Sequence, residues 1–221
     1  MSKFILSFSD ADIIQNHKII LSKVSIDILP GEFVFLIGRT GTGKSSLIKT
    51  IYGDIELKEG LGHVVGFDLS RIKNKEISML RKSIGVVFQD FKLLPDRNIY
   101  KNLQFVLRAT GWKNSKEIDS RIEKVLEMVG IKVNKNKFPS ELSGGEQQRV
   151  AVARALINNP AIILADEPSG NLDSKNAEEL HNLLLKLNKE MGQTIVVVTH
   201  NNELANITHK KLEIKDGVIK K

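Results

Sequence analysis

The sequence predicts an α/β fold with a largely parallel sheet, antiparallel strands at its rim and an inserted helical region. Four short segments are apolar almost without interruption, which is typical of strands covered on both faces of a parallel sheet: 33–37, 84–88, 161–165 and 194–198. Helical patterns stand between these segments, as at 120–129 and 177–187. This alternation of strands and helices is characteristic of α/β proteins.

The two ends of the chain show a different pattern. Apolar residues alternate with polar ones at 4–8 and again at 24–28, as expected of half-buried antiparallel strands. Near the C-terminus, Asp216-Gly217 separates two short apolar stretches, which predicts a hairpin turn. We therefore expect antiparallel strands at the rim of the main sheet.

The stretch 91–159 contains helical patterns but no buried-strand run. It is bounded by loop signals, Leu94-Pro95-Asp96 and Asn158-Asn159-Pro160. We therefore expect one domain over residues 1–221, with a core formed by 1–90 and 160–221 and a helical subdomain at about 91–159.

Composition narrows the range of functions. The 221 residues include no cysteine, which excludes disulfides, thiolate metal sites and a cysteine nucleophile. Lys and Arg number 33 against 26 Asp and Glu, and the net charge of +7 indicates an anionic partner: nucleic acid, a nucleotide or the negative cytoplasmic leaflet of a membrane. No apolar run approaches the roughly 20 residues that a membrane-spanning helix needs.

A phosphate-binding loop is predicted directly after the first buried strand. The pattern G-x-x-x-x-G-K-[ST] is matched by Gly38-Arg39-Thr40-Gly41-Thr42-Gly43-Lys44-Ser45, and a helical run starts at Ser46, which we include in the nucleotide site. Backbone N–H groups of such a loop surround a phosphate chain, and the helix N-terminus adds partial positive charge. We expect Lys44 to reach the outer phosphates and Ser45 to coordinate Mg²⁺. The alternative, a glycine-rich turn without a ligand, is disfavoured by the two flanking elements.

Two adjacent carboxylates, Asp166 and Glu167, follow the strand at 161–165. This is the sheet edge where α/β proteins place ligands, and neighbouring residues on an extended chain point in opposite directions. We expect Asp166 to hold the Mg²⁺ shell and Glu167 to orient or deprotonate the attacking water. Taken alone, the pair could equally be a solvated strand end before the turn at Pro168-Ser169-Gly170.

A second anion site is predicted at the start of another helix, in the sequence Leu142-Ser143-Gly144-Gly145-Glu146-Gln147. Ser143 and Glu146 fit a capping box, which is the simpler explanation. A capping box does not need two glycines, however, and these expose backbone N–H groups to an anion. Because one nucleotide cannot easily occupy both helix termini of a small domain, the pattern predicts a site shared between two copies.

Together these motifs resemble the ATP-binding cassette (ABC) family over essentially the whole chain. Residues 142–146 match its Leu-Ser-Gly-Gly-Glu signature without change. The resemblance implies a P-loop NTPase core of the RecA-like type and Mg²⁺-dependent hydrolysis of ATP. It also implies a homodimer on ATP binding, in which ATP lies between the phosphate loop of one copy and four signature residues of the other: Ser143, Gly144, Gly145 and Glu146.

Three further polar residues match positions of the family in the expected order. Gln89 matches the glutamine that senses Mg²⁺ and the attacking water, Asp173 the loop that links the two sites, and His200 the switch histidine. Considered singly, each would be a solvated loop residue. The other histidines match no such position and are interpreted as surface or packing residues: His17, His63, His181 and His209.

One feature departs from the family pattern. The family commonly stacks the adenine ring on an aromatic side chain near the N-terminus, and here that place falls at Ile13-Ile14. An aliphatic platform keeps dispersion contact but loses ring stacking. We therefore expect weak discrimination between ATP and GTP.

The segment 88–103 is similar to that of the cell-division branch of the family, FtsE, particularly at Asp96-Arg97 followed by Tyr100 and Asn102. This resemblance implies an FtsX-like integral membrane subunit, control of peptidoglycan hydrolysis, and a peripheral position at the cytoplasmic face of the inner membrane beside its anionic surface. The lipoprotein-release and macrolide-export ATPases LolD and MacB are the alternative. Three residues are expected to form an apolar groove for the membrane subunit, or else to close the core of the helical subdomain: Phe91, Leu93 and Leu94.

Two other classes of function remain as alternatives. A nucleic-acid-binding cassette ATPase would be compatible with the basic charge, but such families insert coiled coils or zinc modules or carry two cassettes, and this chain has room for neither. No nucleic acid is therefore expected. A module that binds ATP without hydrolysing it is disfavoured by the intact Glu167 and His200.

Overall fold

The computed structural model describes residues 3–200 and 210–220, which form ten strands and six α-helices. The strands are β1 (Leu6–Gln15), β2 (Lys18–Ile28), β3 (Phe33–Gly38), β4 (Glu59–Val64), β5 (Phe67–Asp68), β6 (Ile84–Phe88), β7 (Ile162–Asp166), β8 (Thr194–Thr199), β9 (Lys210–Lys215) and β10 (Val218–Lys220). The helices are α1 (Lys44–Ile51), α2 (Asn74–Lys82), α3 (Ile99–Ala109), α4 (Ser115–Met128), α5 (Gly144–Leu156) and α6 (Ser174–Met191). A short 3-10 helix covers Pro139–Glu141.

The main sheet has six strands in the order β10-β9-β3-β8-β7-β6, and all its neighbours are parallel except β10 and β9. The four apolar segments are its strands β3, β6, β7 and β8, which confirms the predicted α/β class. Phe88 pairs with Asp166, Asp166 with Val198, and Ile37 with Thr199. The register therefore brings the ends of these four strands to one edge of the sheet.

The antiparallel strands are divided between two places. The N-terminal ones form a sheet of their own in the order β2-β1-β4-β5, whereas the C-terminal hairpin β9-β10 extends the main sheet through the turn at Asp216-Gly217. The N–H of Ser22 donates to the Gly217 carbonyl at 2.8 Å and joins the two sheets. The expected rim is thus a separate layer on the N-terminal side.

Each face of the main sheet is covered by its own apolar cluster. One cluster joins sheet residues such as Leu164 to α1 and the N-terminal sheet. The other joins Ile163 to α3, α4, α5 and α6, so the helices within 91–159 share their core with the sheet. The site at the strand ends is therefore held by packed layers on both sides. Among the described residues, no helix has the length and apolar character needed to cross a membrane.

Candidate active site

The phosphate-binding loop joins β3 to α1 at the edge where the parallel strands end. Gly43 precedes α1 with a φ of 98°, a left-handed conformation that glycine adopts without strain. A Cβ at this position would lie 2.6 Å from Ile20 Cγ2. Because the loop passes so closely against the start of β2, only glycine fits there.

Lys44 begins α1, and its ammonium group is held inside the loop. Nζ donates to the carbonyl oxygens of Gly38 at 2.7 Å and Arg39 at 3.0 Å, and it lies 3.4 Å from Glu167 Oε1. The residue is only 5% exposed. The ammonium group of Lys44 is therefore placed to donate to phosphate oxygens in place of the loop carbonyls when a nucleotide binds.

Asp166 ends β7, and its buried Oδ1 has no hydrogen-bond partner. The pKa of the Asp166 carboxyl is raised above its ordinary value, mainly by burial and also by the charge of Glu167, although the hydrogen bond from Ser45 opposes this. A carboxylate with a free oxygen beside a hydroxyl is the donor set that Mg²⁺ prefers. Asp166 and Ser45 therefore fit the expected ion.

Glu167 lies on a tight turn directly after β7. Its φ of 48° is in the left-handed region, which is strained for a residue with a Cβ. Its N–H donates to the Val198 carbonyl at 2.9 Å, and its Oε2 lies 2.7 Å from Nδ1 of His200. Because an ionised carboxylate can only accept, His200 is the donor. The structure thus brings two of the three expected catalytic residues, Glu167 and His200, into direct contact, and the third is Gln89.

Gln89 follows β6 and reaches across to the turn after β7. Its Nε2 donates to Asn171 Oδ1 at 3.2 Å, and Asn171 Nδ2 donates to the Gln89 carbonyl at 3.0 Å. A Cβ on Gly170 would lie 2.7 Å from Gln89 Nε2. Sequence reasoning did not identify Asn171 or Gly170 as site residues, although the pairing of two adjacent parallel strands places the residues after them side by side.

A cavity of about 440 Å³ opens in front of the loop. It is lined by one residue that was not expected, Ile20, and by nine that were: Thr40, Gly41, Gly43, Lys44, Ser45, Ser46, Gln89, Glu167 and His200. The Ser46 hydroxyl also donates to Gln15 Oε1 at 2.8 Å. A neighbouring cavity of about 610 Å³ has Gly38, Arg39 and Thr42 in its wall. The predicted nucleotide residues of 38–46 thus gather at one place.

The apolar wall of this cavity differs from the expectation. Ile13 is 1% exposed within the N-terminal sheet, and Ile14 pairs with Ile19 between β1 and β2. Neither residue lines the cavities at the loop in the described part of the chain, where Ile20 does. Ile20 is therefore the apolar residue next to the loop, and the adenine platform expected at Ile13-Ile14 stays a prediction.

The signature segment, 142–146, leads into α5 and forms the capping box that was the simpler explanation. The Ser143 hydroxyl accepts from the Glu146 N–H at 3.3 Å, and it donates to Glu146 Oε2 at 2.9 Å. The Ser143 N–H donates to the same oxygen at 2.8 Å, and these bonds lower the pKa of Glu146. Within the described residues, the signature segment contributes nothing to either cavity at the loop.

Asp173 caps α6 in the same chain. It accepts from the Asn176 N–H at 2.9 Å and from Asn176 Nδ2 at 2.6 Å, and these bonds lower the pKa of Asp173. Of the histidines interpreted as surface or packing residues, His17 is exposed, His63 is half-buried and His181 is buried. His209 lies outside the described residues.

The groove for the membrane subunit expected from Phe91, Leu93 and Leu94 stays a prediction, and for Leu93 the structure supports the alternative of packing against the core. Leu93 packs against the core cluster of α3 to α6, and Arg154 Nη2 donates to the Phe91 carbonyl at 2.8 Å. The side chains of Phe91, Leu93 and Leu94 do not line a groove of about 520 Å³ beside this segment. The lining there includes Val86, Phe88, Val106 and Arg154.

Comparison with known proteins agrees with this geometry. The family profile described as ABC transporter matches residues 21–170. The cell division ATP-binding protein FtsE of Streptococcus pneumoniae is 44% identical over 198 residues, which cover 89% of this chain and 85% of that protein. The lipoprotein-releasing system ATP-binding protein LolD of Bacteroides fragilis is 45% identical over 202 residues, which cover 90% and 93%.

Among solved structures, a dimeric ATP-binding cassette in a post-hydrolysis state, bound to ADP and Pi, superposes with a TM-score of 0.86 at 35% identity. The match covers 98% of this chain and 97% of that chain. The chain therefore belongs to the ABC transporter family, and it is an ATP-binding cassette that hydrolyses ATP.

Proposed function

We propose that the chain is the ATPase subunit of an FtsE-like complex, acting as a dimer with an FtsX-like integral membrane protein in cell division and control of peptidoglycan hydrolysis. It would be peripheral at the cytoplasmic face of the plasma membrane, with part of its +7 charge facing anionic lipid. The observation that carries the ATPase assignment is the meeting of Lys44, Glu167 and His200 at one cavity. The 44% identity to FtsE supports the branch.

The residues at the strand ends divide the binding of Mg²⁺·ATP among them. Lys44 would bind the outer phosphates, and the backbone N–H groups of the loop would surround the phosphate chain. Ser45, Asp166 and Gln89 would hold Mg²⁺, which when bound neutralises charge on the phosphates. The free Oδ1 of Asp166 supports this role.

Glu167 would accept the proton of the attacking water. Its carboxylate lines the cavity and is held at Oε2 by the N–H of His200. This bond fixes the orientation of the carboxylate, while Gln89 in the same wall would orient the water. The strained backbone of Glu167 supports the assignment, because such strain is common at active sites.

Ser143, Gly144, Gly145, Glu146 and Asp173 would act on the nucleotide of a second copy. Their place outside the cavities at the loop supports this arrangement, as does the similarity to a dimeric cassette. We further propose that 1–221 is one domain in which 91–159, the segment carrying the signature, moves as a subdomain. ATP would stabilise the closed dimer because only that state contacts it from both copies.

The catalytic assignment is tested with two variants. Glu167→Gln keeps the shape of the side chain but removes the base, so hydrolysis should fall by about 100-fold or more while ATP binding and dimer formation persist. Lys44→Ala should weaken ATP binding itself. Glu127→Gln, at an exposed position on α4, is the matched control. Equal ATPase rates for the wild type and Glu167→Gln would refute the assignment.

The LolD-like alternative is supported by the 45% identity to a lipoprotein-releasing ATPase. One residue of the FtsE-like segment also has a structural role, since buried Asn102 donates from Nδ2 to the carbonyls of Leu94, Arg97 and Asn98. The membrane subunit that co-purifies with tagged Glu167→Gln decides between the two. An FtsX-like protein with one large extracytoplasmic loop supports the division role, and a lipoprotein-release pair supports the alternative.

A further inference from the structure

The segment that follows Glu167 is held by a side chain of the signature helix. Gln148 lies in the second turn of α5 and is fully buried, and its Nε2 donates to the Pro168 carbonyl at 2.5 Å. Its Oε1 is buried as well and has no partner. An apolar side chain would avoid the cost of that unpaired oxygen, so the amide is kept at a cost to stability.

The bond acts next to the strained residue of the site. The N–H of Glu167 is fixed by the Val198 carbonyl of β8, and its own carbonyl accepts from the Gly170 N–H at 3.0 Å. Pro168 has a restricted φ and no N–H, so its carbonyl is its remaining backbone anchor. Gln148 supplies that anchor, and it does so from α5.

A second contact joins α5 to the same loop. Asn176, which donates to Asp173, has its Oδ1 only 2.2 Å from the place that a Cβ of buried Gly145 would take. The first turn of α5 therefore cannot shift towards α6 without displacing Asn176. Contacts at Gly145 and Gln148 thus connect α5 to both ends of the loop at 167–176.

We propose that Gln148 is a positioning residue, through which the helix that carries the signature sets the place of Glu167 in the same chain. This inference rests on the proposed roles of Glu167 and of the signature. A nucleotide held by the signature of one copy would then adjust the hydrolytic site of that same copy, because a displacement of α5 is transmitted to the Glu167 turn through Gln148.

The test uses the full-length chain and the substitution Gln148→Met, which keeps an unbranched side chain of similar length but removes the donor. We expect kcat for ATP hydrolysis to fall by about fivefold or more, with KM for ATP unchanged within about twofold. Gln104→Met is the matched control, since that amide donates to Tyr100 on α3 at 3.0 Å. Val150→Ala controls for destabilisation, because it removes buried volume from the same helix.

Single-turnover rates in the Glu167→Gln background separate positioning from general damage. If Gln148 acts through Glu167, Gln148→Met causes no further fall there. Three results would overturn the inference while the proposed function stands. They are an unchanged kcat in Gln148→Met, a fall in kcat that Val150→Ala reproduces, and a fall in the Glu167→Gln background as large as in the wild type. If Glu167→Gln hydrolyses ATP at the wild-type rate, both the proposed function of Glu167 and this inference are overturned, because the position of Glu167 then has no effect on hydrolysis.

Discussion

Gly170→Ala should disturb Gln89, because the three atoms nearest to the new Cβ all belong to that side chain. The new Cβ would lie 2.7 Å from Gln89 Nε2 and 2.9 Å from Cδ, so the amide must move. Its bond to Asn171 Oδ1 at 3.2 Å is then lost. Such a bond contributes about 0.5–1.5 kcal/mol, which corresponds to a fall of about 2- to 12-fold in kcat if the proposed role of Gln89 is correct.

The assay is steady-state ATP hydrolysis with saturating Mg²⁺·ATP. Asn171→Ala removes the same hydrogen bond without adding volume, so it should reproduce part of the effect. The double variant Gly170→Ala/Gln89→Ala should hydrolyse ATP at the rate of Gln89→Ala alone, since the two changes act through one side chain. Additive losses, or a wild-type rate in Gly170→Ala, would refute the reasoning.

Four other predictions follow from the described contacts. His200→Ala should lower kcat by about tenfold, the lower end for a hydrogen bond to a charged group, because His200 is 60% exposed; ATPase assays measure it. Dissociation constants for ATP and GTP should agree within about tenfold, since neither the expected platform at Ile13-Ile14 nor Ile20 offers a ring for stacking, and a strong preference for ATP would contradict this. Burial lowers the pKa of His181 below 6.5, so the unfolded chain takes up the proton first and stability falls as pH drops below that value. Denaturant unfolding at about pH 7.5 and about pH 5.5 should show a smaller loss for His181→Leu. Glu146→Gln should speed ATP-driven dimer formation, measured by light scattering, because it removes the negative charge of the Glu146 carboxylate that is bonded to the Ser143 hydroxyl.

The parts of the site that could be predicted are those fixed by the ends of strands. Unbroken apolar runs located β3, β6, β7 and β8, and parallel pairing brings whatever follows them to one edge. Gln89, Glu167 and His200 are there for that reason.

The site residues that were not predicted have positions set by packing between elements that are distant in sequence. Gln148 resembles a solvated helix residue in the sequence, yet it is buried because α5 packs against the main sheet as well as α6. Ile20 faces the loop only because the N-terminal strands form their own layer. Local hydrophobic periodicity predicts neither the burial of Gln148 nor the position of Ile20, since it describes one face of one element at a time.

Both predicted anion sites already hold oxygen atoms of the chain itself. Lys44 Nζ is bound by the carbonyls of Gly38 and Arg39, and the N–H and hydroxyl of Ser143 are both bound by Glu146. If ATP binds at both sites as proposed, it replaces internal hydrogen bonds at each, and only the difference in free energy favours binding. At the phosphate loop ATP displaces two neutral carbonyls and also draws Lys44 Nζ from the Glu167 carboxylate at 3.4 Å, whereas at the signature it displaces the Glu146 carboxylate from Ser143. Each exchange therefore frees a carboxylate beside the phosphates, and the Glu167→Gln and Glu146→Gln variants remove that charge.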